Sequence, residues 1–365
     1  MEKYSTLSEE IISLHEFISK EWSKLLRIAV ALYDKKTDML HTFIRSSYIE
    51  NILNHYSYPL SKVDSLAQIA NSKQSRVIDD LSVLKSNTQH TQEITLNGFK
   101  SSFTVPMYLN NNLLGFIFFD STETKYFNEK LKELLLKYSR LIESLIIADV
   151  LPIKSLIGVI NTTRDITKMR DEETGEHLIR MAHYAEIIAL ELSEKYSFSD
   201  EDIEYIWFYA PLHDIGKIAI ADGILMKPSK LTKEEHEVIK THVNEGIKML
   251  ELITSNFDFQ ELHHLDILRK VISEHHERVD GSGYPKGLKG NEISIIGKII
   301  AVADVFDALS STRVYRKALS IDETLQYLKK NINILFDEDC VNALIKNKAK
   351  VIEIHDKFND NELLF

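Results

Sequence analysis

Cysteine is almost missing from this 365-residue chain, where Cys340 stands alone. One thiol excludes an internal disulfide and a thiolate metal cage, and it fits a reducing compartment. Any bound metal must then be held by histidine and carboxylate. Glycine and proline are scarce too, at 12 and 6 residues, which excludes collagen-like and low-complexity chains. No long hydrophobic run occurs. The most apolar stretch, residues 145–160, is interrupted by Asp149, Pro152 and Lys154 and falls short of the ~20 apolar residues that a spanning helix needs. The opening MEKYSTLSEE has no basic segment leading into an apolar one, so no secretory leader is predicted. Positive charge is not in excess either: the net charge is −11, which argues against a basic nucleic-acid groove. These absences predict a folded, mostly helical, cytoplasmic protein that engages neither a membrane nor DNA or RNA.

What is present is unevenly placed. At ~100–200 residues per domain, the length suits two or three domains. Residues 1–150 hold 17 basic residues against 18 acidic, so nearly all the negative charge lies beyond them. Nine of the 14 histidines fall between His177 and His276. An acidic, histidine-rich half points toward bound cations.

In the first part, Leu7, Ile11, Leu14, Ile18, Trp22, Leu25 and Leu26 recur at helical spacing and predict an amphipathic helix over 7–30. Short β-type runs come next at 27–33, 40–44, 102–108 and 113–119. The last two flank Asn110, Asn111 and Asn112 and read as an antiparallel hairpin. A helix near 65–72 completes an α+β domain with an antiparallel sheet. From Phe127 onward, Leu131, Leu134, Tyr138, Leu141 and Leu145 step by four and three, the spacing of a coiled-coil seam. A dimerising helix and a helix packed on its own domain both fit that pattern. Pro152 has no N–H to donate and is expected to break or kink the helix, so the domain junction is placed there. The rest reads as successive helices.

Ligand-type residues recur on the inward faces of those helices. Glu173 and His177 stand four apart, and His177 continues the apolar stripe of Met181, Tyr184, Ile188 and Leu192. Ser199 and Asp202 announce the next helix by a capping pattern. Its stripe of Ile203, Ile206, Trp207 and Ala210 is expected to run on into His213, Asp214 and Lys217, although Pro211 can kink it just before them. Buried charges need partners. A histidine beside a bridging carboxylate can hold cations, and a lysine one turn later can reach an anion over them. A buried His–Asp–Lys hydrogen-bond network is the alternative. Thr232 and Glu235 form a capping box for a helix that includes His242. His275 and His276 precede a turn at Gly281 to Pro285, and Asp304 interrupts the apolar run from Ile295 to Leu309. A carboxylate in so apolar a helix either takes up a proton or meets a cation. Asp307 is read as a local cap or bridge, and His236, His263 and His264 as solvated or structural. Five imidazoles and three carboxylates match the donor count of a two-metal hydrolase. Glu173 can instead belong to a third ion. This donor set suits Fe, Mn, Zn or Co over Mg or Ca.

Two resemblances organise these readings. The segment TVPMYLNNNLLGFIFFDS, followed by a long helix from about Asn128, resembles the end of a GAF domain covering roughly residues 5–145. His213-Asp214-Ile215-Gly216-Lys217, then ILMKPSKLTKEE leading to His242, then HHERVDGSGYPKGLKG, closely resemble the HD-GYP family of HD phosphohydrolases over about residues 155–345. The resemblance implies a multidomain chain: a GAF-like sensor at 1–126, a linker helix at 127–154 able to pair as a coiled coil in a homodimer, and an all-α HD-GYP domain at 155–365. It implies hydrolysis of cyclic di-GMP to linear pGpG, and to GMP if a third ion is present, by two or three divalent metals, commonly iron or manganese. His177, His213, Asp214, His242, His275, His276 and Asp304 then match the metal ligands, with Asp214 bridging, and Glu173 matches a third-metal position. Lys217 matches the lysine on the scissile phosphate. Gly283, Tyr284 and Pro285 form the GYP loop, and Arg313 and Lys317 accompany the substrate phosphates. Val279, Ala221, Val314 and Glu338 depart from the usual pattern without removing a ligand. A different cyclic dinucleotide as substrate and a low-turnover signalling scaffold are the competing readings, and the GAF-like domain is open to an unidentified small ligand.

Overall fold

The computed structural model describes residues 6–35, 37–49, 57–83, 96–166, 175–256, 264–311 and 317–358. The chain divides into two compact units, Met1–Pro152 and Ile153–Phe365.

The first unit is built on a six-stranded antiparallel sheet with strand order β3-β2-β1-β6-β5-β4. The strands are β1 (Leu25–Asp34), β2 (Met39–Ser47), β3 (Ser57–Pro59), β4 (Arg76–Ile78), β5 (Ser101–Leu109) and β6 (Asn112–Ser121). Between β5 and β6, Asn110 and Asn111 both take positive φ, 50° and 67°. Asparagine tolerates that region, and a two-residue turn of this hand matches the twist of the strands it joins. One face of the sheet buries Ala29, Ala31, Phe116 and Phe118 under Leu66 and Ile69 of helix α2 (Asp64–Ser72). The α+β architecture with an antiparallel sheet is therefore as expected.

Helix α1 spans Leu7–Ser19 and starts from a capping box made by Thr6 and Glu9. It stops well short of the predicted residue 30. Leu25 and Leu26, which continue the 3.6-residue period, also begin the strand that pairs Leu25 with Ser121, and the ladder takes them. Helix α3, Glu129–Ile166, continues through Pro152, so proline does not end it as expected. Leu131, Leu135, Ile142 and Ile146 of α3 are buried, and the Glu143 carboxylate accepts the Tyr108 backbone N–H at 2.8 Å. This helix thus packs on its own unit. Of the predicted seam, Phe127 and Leu131 belong to this buried face, while Leu134, Tyr138 and Leu145 are half-buried and Leu141 is exposed.

The second unit is helical: α4 (Gly175–Tyr196), α5 (Asp200–Tyr209), α6 (Asp222–Leu225), α7 (Lys233–Lys240), α8 (His242–Asn256), α9 (Leu265–Glu274), α10 (Ile295–Ser310), α11 (Ile321–Lys330), α12 (Glu338–Lys346) and α13 (Lys348–Lys357). Helix α4 is central, packed against α5, α10, α12 and α13. It buries Met181, Ala182, Tyr184, Ala185, Ile188 and Ala189, and the small residues let the neighbouring helices approach closely. The Ser199–Asp202 and Thr232–Glu235 capping boxes both form. Two predicted helices are shorter than expected. Helix α5 ends at Tyr209, where Pro211 enters a 3₁₀ turn, so His213, Asp214 and Lys217 leave the helix. The helix begun at Thr232 breaks at Thr241, whose hydroxyl bonds back to Val238 O at 2.6 Å. His242 then opens α8. Among the described residues, no helix is long and apolar enough to cross a membrane.

Candidate metal centre

The turn that carries His213 and Asp214 is shaped by the segment C-terminal to it. This 3₁₀ segment, Ile215–Ala219, lies directly on the start of α8. A Cβ on Gly216 would fall 1.9 Å from His242 O and 2.4 Å from Gly246 N. Only glycine permits that approach, and it brings Asp214 beside His242. Helix α9 ends at Glu274, so His275 and His276 emerge at its C-terminus. Helix α10 supplies Asp304 and α4 supplies His177.

Two groups of ligand-type side chains result among the described residues. Asp214, His242, His275 and His276 present one ligand atom each within 4.8 Å of one another, and His177, His213 and Asp304 do the same. Asp214 stands between the groups. Its Oδ1 lies 3.0 Å from His242 Nε2 and 3.6 Å from His275 Nε2, and its Oδ2 lies 3.1 Å from His213 Nε2 and 2.8 Å from Lys217 Nζ. His213 Nε2 is 3.9 Å from Asp304 Oδ1.

The other ring nitrogens are committed elsewhere. His213 Nδ1 donates to Ala210 O at 2.9 Å, His242 Nδ1 to Ile239 O at 2.7 Å, and His275 Nδ1 to Ile272 O at 2.9 Å. A carbonyl can only accept, so Nδ1 carries the proton and the neutral ring turns its Nε2 lone pair toward the centre. His177 Nδ1 is likewise engaged, with Asp307 Oδ2 at 2.6 Å, so Asp307 reaches across to another helix instead of serving only as the local cap or bridge expected of it. His242 Nε2 and His275 Nε2 are 3.4 Å apart. Two lone pairs facing each other at that distance repel unless a cation sits between them, so the donor set fits divalent metal ions.

The electrostatics agree. Burial would raise the Asp214 carboxyl, but the Lys217 charge beside it holds it well below the usual carboxylate range. Burial lowers His275, and burial followed by the neighbouring His275 lowers His276 further. These two rings are therefore neutral near pH 7 and available as ligands.

Above the centre, the loop at 277–289 is tied down from beneath. The buried Glu277 carboxylate accepts backbone N–H groups of Lys286 at 2.8 Å and Leu288 at 2.9 Å. Gly283 packs so closely that a Cβ would meet Arg278 N at 2.4 Å. Pro285 comes after Tyr284 in this loop, and the Tyr284 ring stands 4.6 Å from that of His276. Burial raises the Tyr284 phenol and Asp214 adds to it, so it stays protonated. Glu277 is not singled out by the sequence pattern. Its position between HH and the Gly-rich turn is the available signal. Lys317 is exposed before α11. Glu173 and Arg313 lie outside the described residues, as do Val314 and His263. Of the histidines read as peripheral, His236 is exposed, whereas His264 pairs with Glu201 at 3.2 Å.

Residues 162–340 match the family described as HD domain. Over about half of its length the chain is also similar to curated proteins. One is the cyclic di-GMP phosphodiesterase response regulator RpfG of Xanthomonas campestris pv. campestris (strain 8004), 42% identical over 190 residues that make up 52% of this chain and 47% of that protein. Another is the 3'3'-cGAMP-specific phosphodiesterase 3 of Vibrio cholerae serotype O1, 36% identical over 181 residues, 50% of this chain and 36% of that one. The chain spans about half the length, or less, of these curated relatives. Among solved structures, the GAF domain/HD domain protein from Geobacter sulfurreducens is similar at 15% identity, covering 40% of this chain and 94% of that one, with a TM-score of 0.32.

Proposed function

We propose that this protein is a metal-dependent phosphodiesterase that hydrolyses cyclic di-GMP to pGpG, with His177, His213, Asp214, His242, His275, His276 and Asp304 as metal ligands and Asp214 bridging. The observation that carries this reading is the set of imidazoles whose Nδ1 atoms are committed outward while their Nε2 atoms converge on one carboxylate. Iron or manganese suits these ligands. Divalent ions there would activate water and neutralise charge on a phosphodiester. Lys217, salt-bridged to Asp214 but partly exposed, meets the charge that grows on the phosphoryl oxygens. Gly283, Tyr284 and Pro285 shape the mouth above, and Arg313 and Lys317 take the remaining phosphates. Glu173 supports a third ion and, with it, a second cleavage to GMP.

In this reading, residues 1–126 are a GAF-like regulatory domain open to a small ligand, 127–154 a linker helix that pairs in a homodimer, and 155–365 the catalytic domain. The likeness to a 3'3'-cGAMP-specific phosphodiesterase favours a second substrate, another cyclic dinucleotide. Turnover of cyclic di-GMP and 3'3'-cGAMP by anaerobically purified protein loaded with Fe²⁺ or Mn²⁺ tests both. Cyclic di-GMP hydrolysis that His213→Ala and Asp214→Ala abolish is expected. No turnover of either nucleotide by metal-loaded protein would sink the enzyme reading in favour of a scaffold.

A further inference from the structure

His177 is held in place by different means from His213, His242 and His275. His213, His242 and His275 each donate to a carbonyl within about one turn of their own backbone, so their orientation comes with the turn or helix that carries them. His177 instead leans on a side chain from another helix, Asp307 of α10, at 2.6 Å. A carboxylate as deeply buried as Asp307, 0% exposed, must itself be held.

Arg180, one turn after His177 on α4, does this. Its Nε donates to Asp307 Oδ1 at 2.7 Å and its Nη2 to Asp307 Oδ2 at 3.0 Å. The same guanidinium reaches Ser311 Oγ at 2.8 Å through Nη2 and Phe358 O at 2.7 Å through Nη1. One buried side chain thus joins the second turn of α4, the end of α10 and the residue that closes α13. The fork of a guanidinium fits a carboxylate with two parallel bonds, which a lysine cannot reproduce.

We infer that Arg180 is a positioning residue for the His177–His213–Asp304 group, acting through Asp307 to fix the direction in which His177 presents Nε2. The inference rests on the metal-centre reading above. It sets apart the site around Asp214, His242, His275 and His276, where His242 and His275 are oriented by main chain, from the site in which His213 is so oriented but His177 depends on a relay of side chains. Cutting the relay weakens one ion and spares the other. A merely structural arginine would lower overall stability without discriminating between the two sites.

The test is Mn²⁺ binding to the full chain, with free Mn²⁺ counted by electron paramagnetic resonance across a titration and folding followed by circular dichroism. Wild type is expected to show two sites. Arg180→Lys and Asp307→Asn should keep the helical signal and one site of wild-type affinity, with the other weakened about 10–100-fold, the usual cost of removing a ligand's hydrogen-bond partner. Two unchanged sites in these folded variants, or equal weakening of both, overturns the assignment. If neither variant folds, Ser311→Ala, which removes a single bond from the guanidinium, decides by the same criterion: selective weakening supports the inference, and equal or absent weakening overturns it. A folded wild-type chain that takes up no Mn²⁺ overturns the metal-centre reading itself, and the inference with it.

Discussion

Lys217 and Asp214 stand three residues apart, and their 2.8 Å ion pair holds the ammonium beside the Asp214 carboxylate, where the proposed reaction has it meet the phosphate. Lysine is suited to this because its ammonium is a compact charge with three donors. Its replacement removes charge from that side and leaves the imidazoles in place. For Lys217→Ala, kcat for cyclic dinucleotide hydrolysis is expected to fall about 10²–10³-fold, the scale of losing one preorganised charge partner, with metal content by elemental analysis unchanged. Gly216 acts before any chemistry. An alanine there places a methyl 1.9 Å from His242 O, a clash with backbone that no rotamer relieves. Gly216→Ala is expected to destabilise the chain by ~3 kcal/mol, the upper range for overpacking, and to separate Asp214 from His242. A thermal melt together with Mn²⁺ titration checks both effects. If the melt is unshifted, the turn does not need that close approach.

At the scale of elements, α9 is joined to α5 by His264, whose Nε2 lies 3.2 Å from Glu201 Oε1 and whose ring stacks on Tyr205 at 4.4 Å. Burial lowers the His264 pKa, but the hydrogen bond and charge of Glu201 outweigh it, and the net shift is upward. A histidine raised in the folded state stabilises fully below its unfolded pKa of ~6.5 and loses that contribution as pH rises through the folded value. The melting-temperature gap between wild type and His264→Gln should therefore be widest below pH ~6.5 and narrow as pH rises above the folded value. A gap independent of pH would show that the ring only packs. His264 also marks what sequence reading cannot reach. Period and capping signals located α2, α5, α7 and the β5–β6 hairpin because each is a local preference of its own residues. Helix α5 stops at its own Pro211 and the break before α8 falls at Thr241, but the end of α1 depends on a partner far along the chain, Ser121 for Leu25. The same holds for side chains. His213 and His275 were legible as ligand types, whereas Arg180 and Glu277 looked like ordinary charged residues until the fold buried them beside Asp307 and the 286–288 backbone.

At the scale of the whole molecule, α3 presents two apolar stripes with different employment. Leu131, Leu135, Ile142 and Ile146 are spent on the first unit's own core. Leu134, Tyr138, Leu141 and Leu145 continue a four-three spacing beside them and remain half-buried or exposed, Leu141 at 48%. A single exposed leucine has no significance on a protein surface. A row of apolar residues at heptad spacing is the pattern by which two helices bury each other, and pairing α3 with its copy would cover the stripe without disturbing the residues already committed inward. Leu141→Glu places a charge in that seam, where it faces its own copy across the two-fold axis. The wild-type chain is expected to sediment as a dimer at micromolar concentration. Leu141→Glu is expected to sediment as a monomer with an unchanged circular dichroism spectrum, since Leu141 contributes little to the core of its own unit. A wild-type chain that is monomeric at every concentration tried, or a Leu141→Glu variant that stays dimeric, would leave the second stripe as surface and move any self-association to another face.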